Sequence, residues 1–512
     1  LLKKHPIYNL LYCEVAVATF LLSDNKEDYD VASKRILAVR KDCSALYKLR
    51  KPVLKTYLSN YKTGKEEIIV DYENLPVVDC EKELTNEAGL NLKHVSSGLW
   101  SRCILAELNF MDSAIKFRRQ KYLKGMLDFK NSWNQFKECG DMLNKLFTSE
   151  QAIKEIPQLP QIRCAVDFGV GMFQFMCSVV PRHFQFIVEG IGFKADRSVA
   201  MEELKRSMRC ETAIRSHFAA LALGWIYAFF YYNYDVANQI LDLEIDKSPD
   251  SSLILFTSAY VLRKQGKIQE SSEHFLKAKS SLAEIPEFQL KIEYELGSNH
   301  FMLLEWNQAI GYFTKFLANY EAEAFRTYCA YQAGFCHIML GDMDKAAESM
   351  KLVQPWVRKN YALDEYAGHQ AKKFLKKKSF TQFEIIYQQA MVCHEACNYE
   401  ATLNLLEKAK TESKDAGDAG RCSQLRGSAL AHLKRYDEAK SAYMEVIDAA
   451  KDVSKAGNNV YALPFSYCGL TEIAIVEKEM GNAATYLKKA KGFSNYEFET
   501  FLSWRLRKCE DD

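Results

Sequence analysis

The chain has 512 residues, which is longer than a single compact core usually supports and predicts either several domains or one elongated array. Its composition is 48% hydrophobic and 12% aromatic, so overall disorder is excluded. The 68 basic and 66 acidic residues leave a net charge of +2, which argues against nucleic acid as a partner. Only 10 prolines occur, which favours an all-helical chain because proline interrupts helix interiors.

The 15 cysteines are scattered and form no Cys-x-x-Cys pair. Several lie in apolar helical stretches, where a free thiol behaves as a small hydrophobic side chain. We therefore expect a reducing compartment and a cytoplasmic location rather than a disulfide framework. No secretory signal is predicted over the residues given, which begin with Leu1 rather than Met.

Residues 1–216 predict a helical N-terminal region with an irregular pattern. Residues 10–20 and 31–39 have the apolar spacing of a helical hairpin. The charged, turn-rich stretch near 60–90 predicts a mobile loop, and weak strand alternation is confined to 68–72. After the loop, residues 90–110 predict one long amphipathic helix.

Residues 117–147 predict two helices that separate near Gly125. Apolar runs at 168–180 and 218–232 contain 13 and 15 residues, fewer than the roughly 20 that a helix needs to cross a bilayer. We therefore expect two buried helices and no transmembrane span. Shallow insertion into a membrane or lipid-droplet surface is the alternative.

From residue 217 onwards the sequence repeats one pattern, in which a small residue is followed four positions later by a large apolar one. The small residues are Ala237, Ser271, Ala309, Ala346, Ala401, Ala439 and Ala483. They are spaced 34, 38, 37, 55, 38 and 44 residues apart. A period of 34 is typical of tetratricopeptide (TPR) helix pairs, in which small residues let two helices approach closely.

The pattern predicts an all-α fold, a TPR-like superhelix or α-solenoid whose N-terminal half is irregular. Well-formed repeats are predicted over 217–352, an inserted basic segment over 353–380, and C-terminal TPR-like repeats over 381–512. Glycine readily takes the left-handed conformation that ends a helix, so turns between paired helices are predicted at Gly266, Gly341-Asp342 and Gly481-Asn482.

Four segments carry a family resemblance. They are Leu123-Lys124-Gly125 with Phe136-Lys137-Glu138-Cys139; Phe168-Gly169-Val170-Gly171 with Val179-Val180-Pro181-Arg182; Ser251-Ser252-Leu253-Ile254-Leu255-Phe256; and Tyr366-Ala367 with Ala371-Lys372-Lys373-Phe374-Leu375. Together they resemble the tetratricopeptide repeat protein 39 and inclusion-body-clearance family, although His369 stands where that family more often has Arg or Lys. The resemblance implies a helical repeat protein without known enzymatic activity, from a family linked to protein-inclusion clearance, lipid droplets and lipid homeostasis.

The first helices of TPR pairs line a concave groove. Projecting that frame places seven aromatic residues inward: Phe256, Tyr260, Tyr294, Phe301, Tyr328, Tyr331 and Phe335. The basic residues that hold acidic peptide termini in other TPR grooves are largely missing. An aromatic groove could bind an apolar peptide or a lipid chain. The interpretation we favour is that the protein's own N-terminal helices fill it, since long apolar troughs rarely stay exposed.

The densest run of charge is basic. Helical spacing places Lys372, Lys373, Lys376 and Lys377 on one strip, which predicts either an anionic partner or, as we favour, a solvated helix end. A second basic patch contains Arg118, Arg119, Lys121 and Lys124, with the same two interpretations.

Other constellations favour structural roles. The sequence Cys393-His394-Glu395-Ala396-Cys397 offers too few ligands for zinc, and the Gly169/Gly171 and Gly190/Gly192 pairs lack the strand and third glycine of a phosphate loop. Neither a nucleophile elbow nor a P-loop lysine is present. The sequence therefore predicts no enzyme, no catalytic residue, no metal site and no cofactor.

These observations predict a non-enzymatic TPR scaffold or adaptor in the cytoplasm that binds protein partners of unknown identity. The alternative is a lipid-binding or lipid-droplet-associated protein that holds an acyl chain in its aromatic groove. A cryptic enzyme is the third hypothesis.

Overall fold

In this computed structural model, the structure describes residues 6–23, 26–61, 91–179, 193, 195–210, 213–281, 286–320, 325–359, 361–413, 415–455 and 461–511. The predicted strand at 68–72, nearly all of the predicted loop at 60–90, and Gly190/Gly192 lie outside these residues. Every regular element in the described ranges is helical, so the predicted all-α class is confirmed. The chain divides into two compact units, Leu1–Gly224 (unit 1) and Trp225–Asp512 (unit 2).

Among the described residues, unit 1 contains seven complete helices and the first part of an eighth, within which the division between the two units falls. The helices are α1 (Pro6–Ser23), α2 (Lys26–Ser59), α3 (Leu92–Arg118), α4 (Tyr122–Leu146), α5 (Glu150–Glu155), α6 (Leu159–Val179), α7 (Arg197–Met208) and α8 (Ile214–Phe229). Helix α3 packs against α1, α2, α4 and α6, which makes it the centre of this core. The predicted boundary at 216/217 lies eight residues before the division between the units.

One prediction for unit 1 is wrong. Residues 117–147 do not form two helices separated near Gly125, because α4 runs unbroken through that glycine. A Cβ atom at Gly125 would lie 2.6 Å from Cε1 of Phe117. The glycine therefore makes room for the Phe117 ring rather than ending a helix.

Helix α6 is longer than its apolar run suggested. Its 21 residues are long and apolar enough to cross a membrane by length and composition, and 72% of its most apolar window is buried within the structure. It packs against α3, α4 and α7. A buried core helix meets the same criteria, so α6 establishes neither a membrane span nor its absence.

Unit 2 is built from helix pairs. Its helices are α9 (Tyr234–Lys247), α10 (Ser252–Lys264), α11 (Ile268–Ser281), α12 (Pro286–Met302), α13 (Trp306–Asn319), α14 (Arg326–Met339), α15 (Met343–Val353), α16 (Ala362–Lys377), α17 (Gln382–Glu395), α18 (Tyr399–Thr411), α19 (Ala416–His432), α20 (Tyr436–Asp448), α21 (Ala450–Lys455), α22 (Ala462–Val476), α23 (Met480–Lys491) and α24 (Glu499–Asp511). The pairs α10/α11, α12/α13, α14/α15, α17/α18, α19/α20 and α22/α23 pack most closely.

The small-residue pattern marks the fourth position of each second helix. Ala309 and Ala346 are fully buried there, and the large residue four positions later packs against a glycine of the first helix. A Cβ atom at Gly297 would lie 2.7 Å from Cε1 of Phe313. In α18 the prediction is one residue out, because Thr402, not Ala401, holds the fourth position and is fully buried.

The turns between paired helices share one backbone conformation. Two residues before each second helix, the chain takes a positive φ between 53° and 78°; the residues are Tyr232, Gly266, Leu304, Gly341, Cys397, Lys434 and Lys478. The N–H of the next residue donates to a carbonyl five or six residues back, which satisfies the end of the first helix. The predictions at Gly266 and Gly341 are confirmed, and the one at Gly481 is wrong because that residue lies inside α23.

The predicted inserted segment forms structure within unit 2. A short 3₁₀ turn (Gln354–Trp356) leads to α16, which packs against α14 and α15. Tyr366 and Phe374 on α16 are buried in the same core cluster as α14. The segment therefore adds a helix to the core of the array.

Candidate functional site

The seven predicted groove residues lie on the first helices α10, α12 and α14. Tyr294, Phe301, Tyr331 and Phe335 are buried, and Phe256, Tyr260 and Tyr328 are half-buried. Their rings contact rings of the same unit, as in Tyr294–Phe325, Phe301–Phe335 and Phe256–Phe288, whose centroids lie 5.6, 6.1 and 4.8 Å apart. In this conformation the four buried rings belong to the core between pairs, and the three half-buried ones retain exposed area. A partner-binding role for these residues stays a prediction.

A buried ion cluster stabilises the α10–α12 contact. The Glu295 carboxylate accepts hydrogen bonds from Arg263, at 2.8 Å from Nη1, and from Tyr260, and it also pairs with Lys291. Burial alone would raise the pKa of Glu295, but Lys291 and Arg263 outweigh it and hold the pKa at about 2. The sequence alone does not reveal this cluster, because α12 contains several charged residues and its sequence does not show which of them are buried.

A network of tyrosines connects α14, α16, α17 and the start of α22. The hydroxyls of Tyr331 and Tyr366 both donate to Gln388 Oε1, at 3.1 and 2.7 Å. Tyr387 and Tyr461 are joined through their hydroxyls at 3.2 Å. A narrow pocket opens here, lined by Tyr331, Tyr366, Gln370, Phe380, Glu384, Tyr387, Gln388 and Arg421. Burial raises the pKa of Tyr331, Tyr366 and Tyr387 well above the usual range of a tyrosine, so these three stay neutral hydrogen-bonding groups.

Residues 495–511, which we call the C-terminal segment, lie against this network. The Phe498 ring is 5.4 Å from Tyr366 and 5.7 Å from Tyr461, measured between centroids. Trp504 lies 6.1 Å from Trp225, near the start of unit 2. The segment therefore touches helices that are far apart in sequence. The sequence analysis did not single it out, because it lies beyond the last recognisable pair.

The predicted lysine strip lies in the last two turns of α16. Lys372, Lys376 and Lys377 are exposed, whereas Lys373 pairs with the buried carboxylate of Glu384. Lysines at a helix C-terminus are favoured by the helix dipole. Three of the four predicted residues can therefore meet an anionic partner, and the fourth is already neutralised.

The second predicted basic patch is split by its contacts with α2. The Lys121 ammonium donates to the Tyr29 hydroxyl at 3.0 Å, and the Arg119 guanidinium lies 5.7 Å from the same ring. Lys124 is exposed in the first turn of α4. Two cations of the predicted patch, Lys121 and Arg119, thus pack on Tyr29 instead of forming a free basic surface.

The Cys393–Cys397 stretch has a structural arrangement. The His394 Nε2 atom lies 2.9 Å from Ser428 Oγ, and its ring packs against Tyr399 and His432. Burial lowers the pKa of His394 to about 3, so the ring is neutral. Cys397 occupies a left-handed turn position, with its thiol 3.3 Å from the Lys264 carbonyl oxygen.

One group of metal-type ligands was also missed. The ligand atoms of Cys468, Glu472 and Cys509 lie within 4.8 Å of one another, on α22 and α24. However, both oxygens of Glu472 already accept hydrogen bonds from Arg505, at 3.0 and 2.6 Å. The bidentate pair leaves two thiols, which are too few for a tetrahedral zinc site.

Together, the fold and its repeated pairs define an all-α TPR-repeat protein. Residues 77–424 match the model of the Iml2/Tetratricopeptide repeat protein 39 family, which is more than half of the chain. The chain therefore belongs to this family, as the sequence motifs suggested. It is similar to Tetratricopeptide repeat protein ttc-39B of Caenorhabditis elegans, with 21% identity over 410 residues that cover 75% of this chain and 70% of the relative.

Solved structures with similar repeats are more distant. A tetratricopeptide repeat protein from Parabacteroides merdae is 14% identical, with a TM-score of 0.27 over 57% of this chain and 99% of the other. The APC/C hetero-tetramer Cut9–Hcn1 is 12% identical, with a TM-score of 0.24 over 95% of this chain and 90% of the other. These scores are too low to carry an argument about function.

Proposed function

We propose that the protein is a non-enzymatic scaffold or adaptor that recruits a protein partner through the helix pairs of unit 2. The main support is the pair itself, which recurs along unit 2 with one turn conformation and one packing position. Repeat arrays of this kind present their first helices as an extended binding surface. The family supports the same proposal, since TPR-type folds typically act as scaffolds without catalysis.

We place the partner on the first-helix face of unit 2, near the tyrosine network. Phe256, Tyr260 and Tyr328 are the predicted groove residues with exposed area, and such aromatic rings are common anchors of protein interfaces. The exposed lysines of α16 could contact an acidic part of the same partner. Their charge would then contribute mainly to the association rate and to specificity.

Proximity labelling in cells with the full chain tests this proposal. We expect the charge-reversing variant Lys376→Glu/Lys377→Glu to lose a subset of labelled proteins. The matched control is Lys408→Glu/Lys410→Glu, which reverses two exposed lysines in the last turn of α18. Equal loss in both variants would leave the α16 strip without a specific role. If no protein is enriched over a non-specific control, the scaffold proposal fails.

A lipid surface is the second candidate, because α1 exposes an apolar face. Tyr8, Tyr12 and Val15, spaced four and three residues apart on one side of the helix, are 45–55% exposed. The Arg35 guanidinium lies 3.7 Å from the Tyr12 ring and adds a cation at that face. Helices with apolar and aromatic residues on one side lie in the interface of membranes.

Flotation with phosphatidylcholine–phosphatidylserine vesicles tests the lipid candidate. Tyr12→Glu/Val15→Glu is expected to abolish flotation of the full chain. Leu37→Glu/Leu49→Glu, which changes two exposed leucines of α2, is the control and should float like the unaltered protein. If the unaltered protein does not float, the lipid candidate is rejected.

We also propose a cytoplasmic location and, with the family, roles in inclusion clearance and lipid homeostasis. The location is supported by 14 free cysteines among the described residues, 13 of which are buried. Reduced thiols are typical of cytosolic proteins. Fractionation of cells that express the full chain tests the location directly.

A further inference from the structure

We propose that the C-terminal segment is a built-in ligand of unit 2: it occupies the part of the partner-binding surface beside the tyrosine network, and the partner presents an amphipathic helix with aromatic and basic residues. This inference rests on the proposed scaffold function and names the chemistry and the regulation of the same site.

The first support is the reach of the segment. A helix that only capped the last pair would contact α22 and α23, as Leu502 and Leu506 do through a shared core cluster. The C-terminal segment also contacts α16, through Phe498 and Tyr366, and α8, through Trp504 and Trp225. It therefore joins α8, at the beginning of unit 2, to α16 and to the last helix pair.

The second support is the chemistry of these contacts, which combines apolar anchors with paired charges. Arg505 binds both oxygens of Glu472, and His369 Nδ1 lies 3.3 Å from Glu497 Oε1. The Lys508 ammonium lies 5.3 Å from the centroid of the Tyr232 ring. Recognition of a helix by spaced apolar anchors and flanking charges is a common mode of peptide binding.

The third support is the way the segment is attached. Asn495 and Phe498 have φ of 59° and 67°, a conformation that is sterically unfavourable for residues other than glycine. The Glu472 and Arg505 side chains are 35% and 25% exposed, so the charged groups of a competing helix can reach the pair from solvent. A short helix held in this way can be displaced by a partner helix that forms the same contacts.

Because the C-terminal segment belongs to the same chain as its binding site, it lowers the apparent affinity of that site for a separate partner. A segment joined to its site by a short linker acts at an effective concentration on the order of millimolar. A free partner helix must compete with that concentration. Weakening the contacts of the segment with α8 and α16 therefore has to strengthen binding of a partner helix supplied in trans.

The test uses the full chain and, as probe, a fluorescein-labelled peptide with the sequence of residues 495–511, under reducing conditions. The variant Phe498→Ala/Trp504→Ala removes the two rings that contact α16 and α8, and it keeps Leu502 and Leu506, which pack against the last pair. We expect it to bind the peptide at least tenfold more tightly than the unaltered protein does. Phe501→Ala is the control, because Phe501 is on the same helix and 49% exposed, and it should bind like the unaltered protein.

Equal peptide affinity of the folded double variant and the unaltered protein overturns the proposal. Hydrogen exchange of the unaltered full chain gives a second measurement that needs no variant. We expect amides of α24 to exchange faster than amides of α22. Adding the free peptide to the unaltered protein should not slow exchange in either helix, because the segment already occupies the site. Exchange of α24 only together with α22 identifies a permanent cap and also overturns the proposal.

The outcomes separate this inference from the scaffold function. If Phe498→Ala/Trp504→Ala binds the peptide more tightly but proximity labelling enriches no cellular protein, the scaffold function is rejected and the built-in ligand is kept. Enriched cellular proteins without a gain in peptide binding reject the built-in ligand alone.

Discussion

The two units achieve stability with different devices. In unit 2, sequence-adjacent pairs pack through one repeated register, so most contacts between its helices are local in the chain. In unit 1, buried charges connect helices that are distant in sequence. Arg215 on α8 is 4% exposed and pairs with Glu107 on α3 and Glu14 on α1, and Arg206 on α7 binds Asp167 on α6 at 2.6 and 2.7 Å. The repeated packing of helix pairs thus specifies the fold of unit 2, and buried ion pairs help to specify the fold of unit 1.

The largest expected effect is in unit 1. Removing one partner of a buried ion pair leaves an uncompensated charge, so Arg215→Ala should destabilise unit 1 by about 3–5 kcal/mol. Hydrogen-exchange mass spectrometry of the full chain reads the two units separately, and unit 2 should be unaffected. Adding Glu107→Gln to this variant should restore part of the loss. A double variant as unstable as the single one would contradict a charge-based explanation.

Two buried glutamates, Glu107 in unit 1 and Glu295 in unit 2, predict opposite pH responses of the two units. Burial raises the pKa of Glu107 to about 7, despite its pairing with Arg215. A raised folded-state pKa means that its contribution to stability is complete below pH 4.5 and is lost as the pH rises through about 7. The effect amounts to at most about 3 kcal/mol.

Glu295 in unit 2 behaves the other way. Its pKa is lowered to about 2, so its contribution is complete above pH 4.5 and is lost as the pH falls through about 2. Exchange measured between pH 5 and 8, with rates corrected for intrinsic pH dependence, should show unit 1 weakening with rising pH and Glu107→Gln flattening that trend. A trend unchanged by Glu107→Gln would assign it to other groups.

Close helix approach in unit 2 predicts a smaller effect, with a matched control nearby. Gly297→Ala places a methyl group 2.7 Å from the fully buried Phe313 ring, and should cost about 1–3 kcal/mol through overpacking. Gly311→Ala on α13 meets nothing within 4 Å and should be neutral or stabilising by up to about 1 kcal/mol. Denaturant unfolding, monitored by hydrogen exchange of the amides in α12 and α13, compares the stabilities of the two variants. Similar effects of both substitutions would contradict the packing explanation.

Much of unit 2 was predictable because its contacts repeat. Ala309 and Phe313 mark a close helix contact in the sequence alone, and the structure confirms it. The C-terminal segment was not predictable, because Phe498 and Trp504 reach helices more than 100 residues away and follow no period. Unit 1 was less predictable for the same reason, since nothing in the sequence joins Arg215 to Glu14. The prediction at Gly125 was wrong because glycine occurs both at helix ends and where a neighbouring side chain approaches a helix closely.

The turns between pairs were only partly predictable, and they supply the smallest expected effect. Five of the seven left-handed residues in the turns between paired helices are not glycine, so the side chain there costs stability that the sequence does not reveal. Lys478→Gly should therefore stabilise the α22/α23 pair by about 1 kcal/mol, because the φ of 64° no longer opposes a Cβ atom.

Gly341→Ala, at φ 78°, should destabilise the α14/α15 pair by a similar amount, and both changes should appear as shifts in the apparent Tm of the full chain. Gly481→Ala is the comparison that distinguishes the turn from the helix interior. This glycine lies one residue into α23 with open space around it, so the substitution should be neutral or slightly stabilising. If Gly481→Ala destabilised the pair as Gly341→Ala does, the left-handed position would not be the feature that the repeats share.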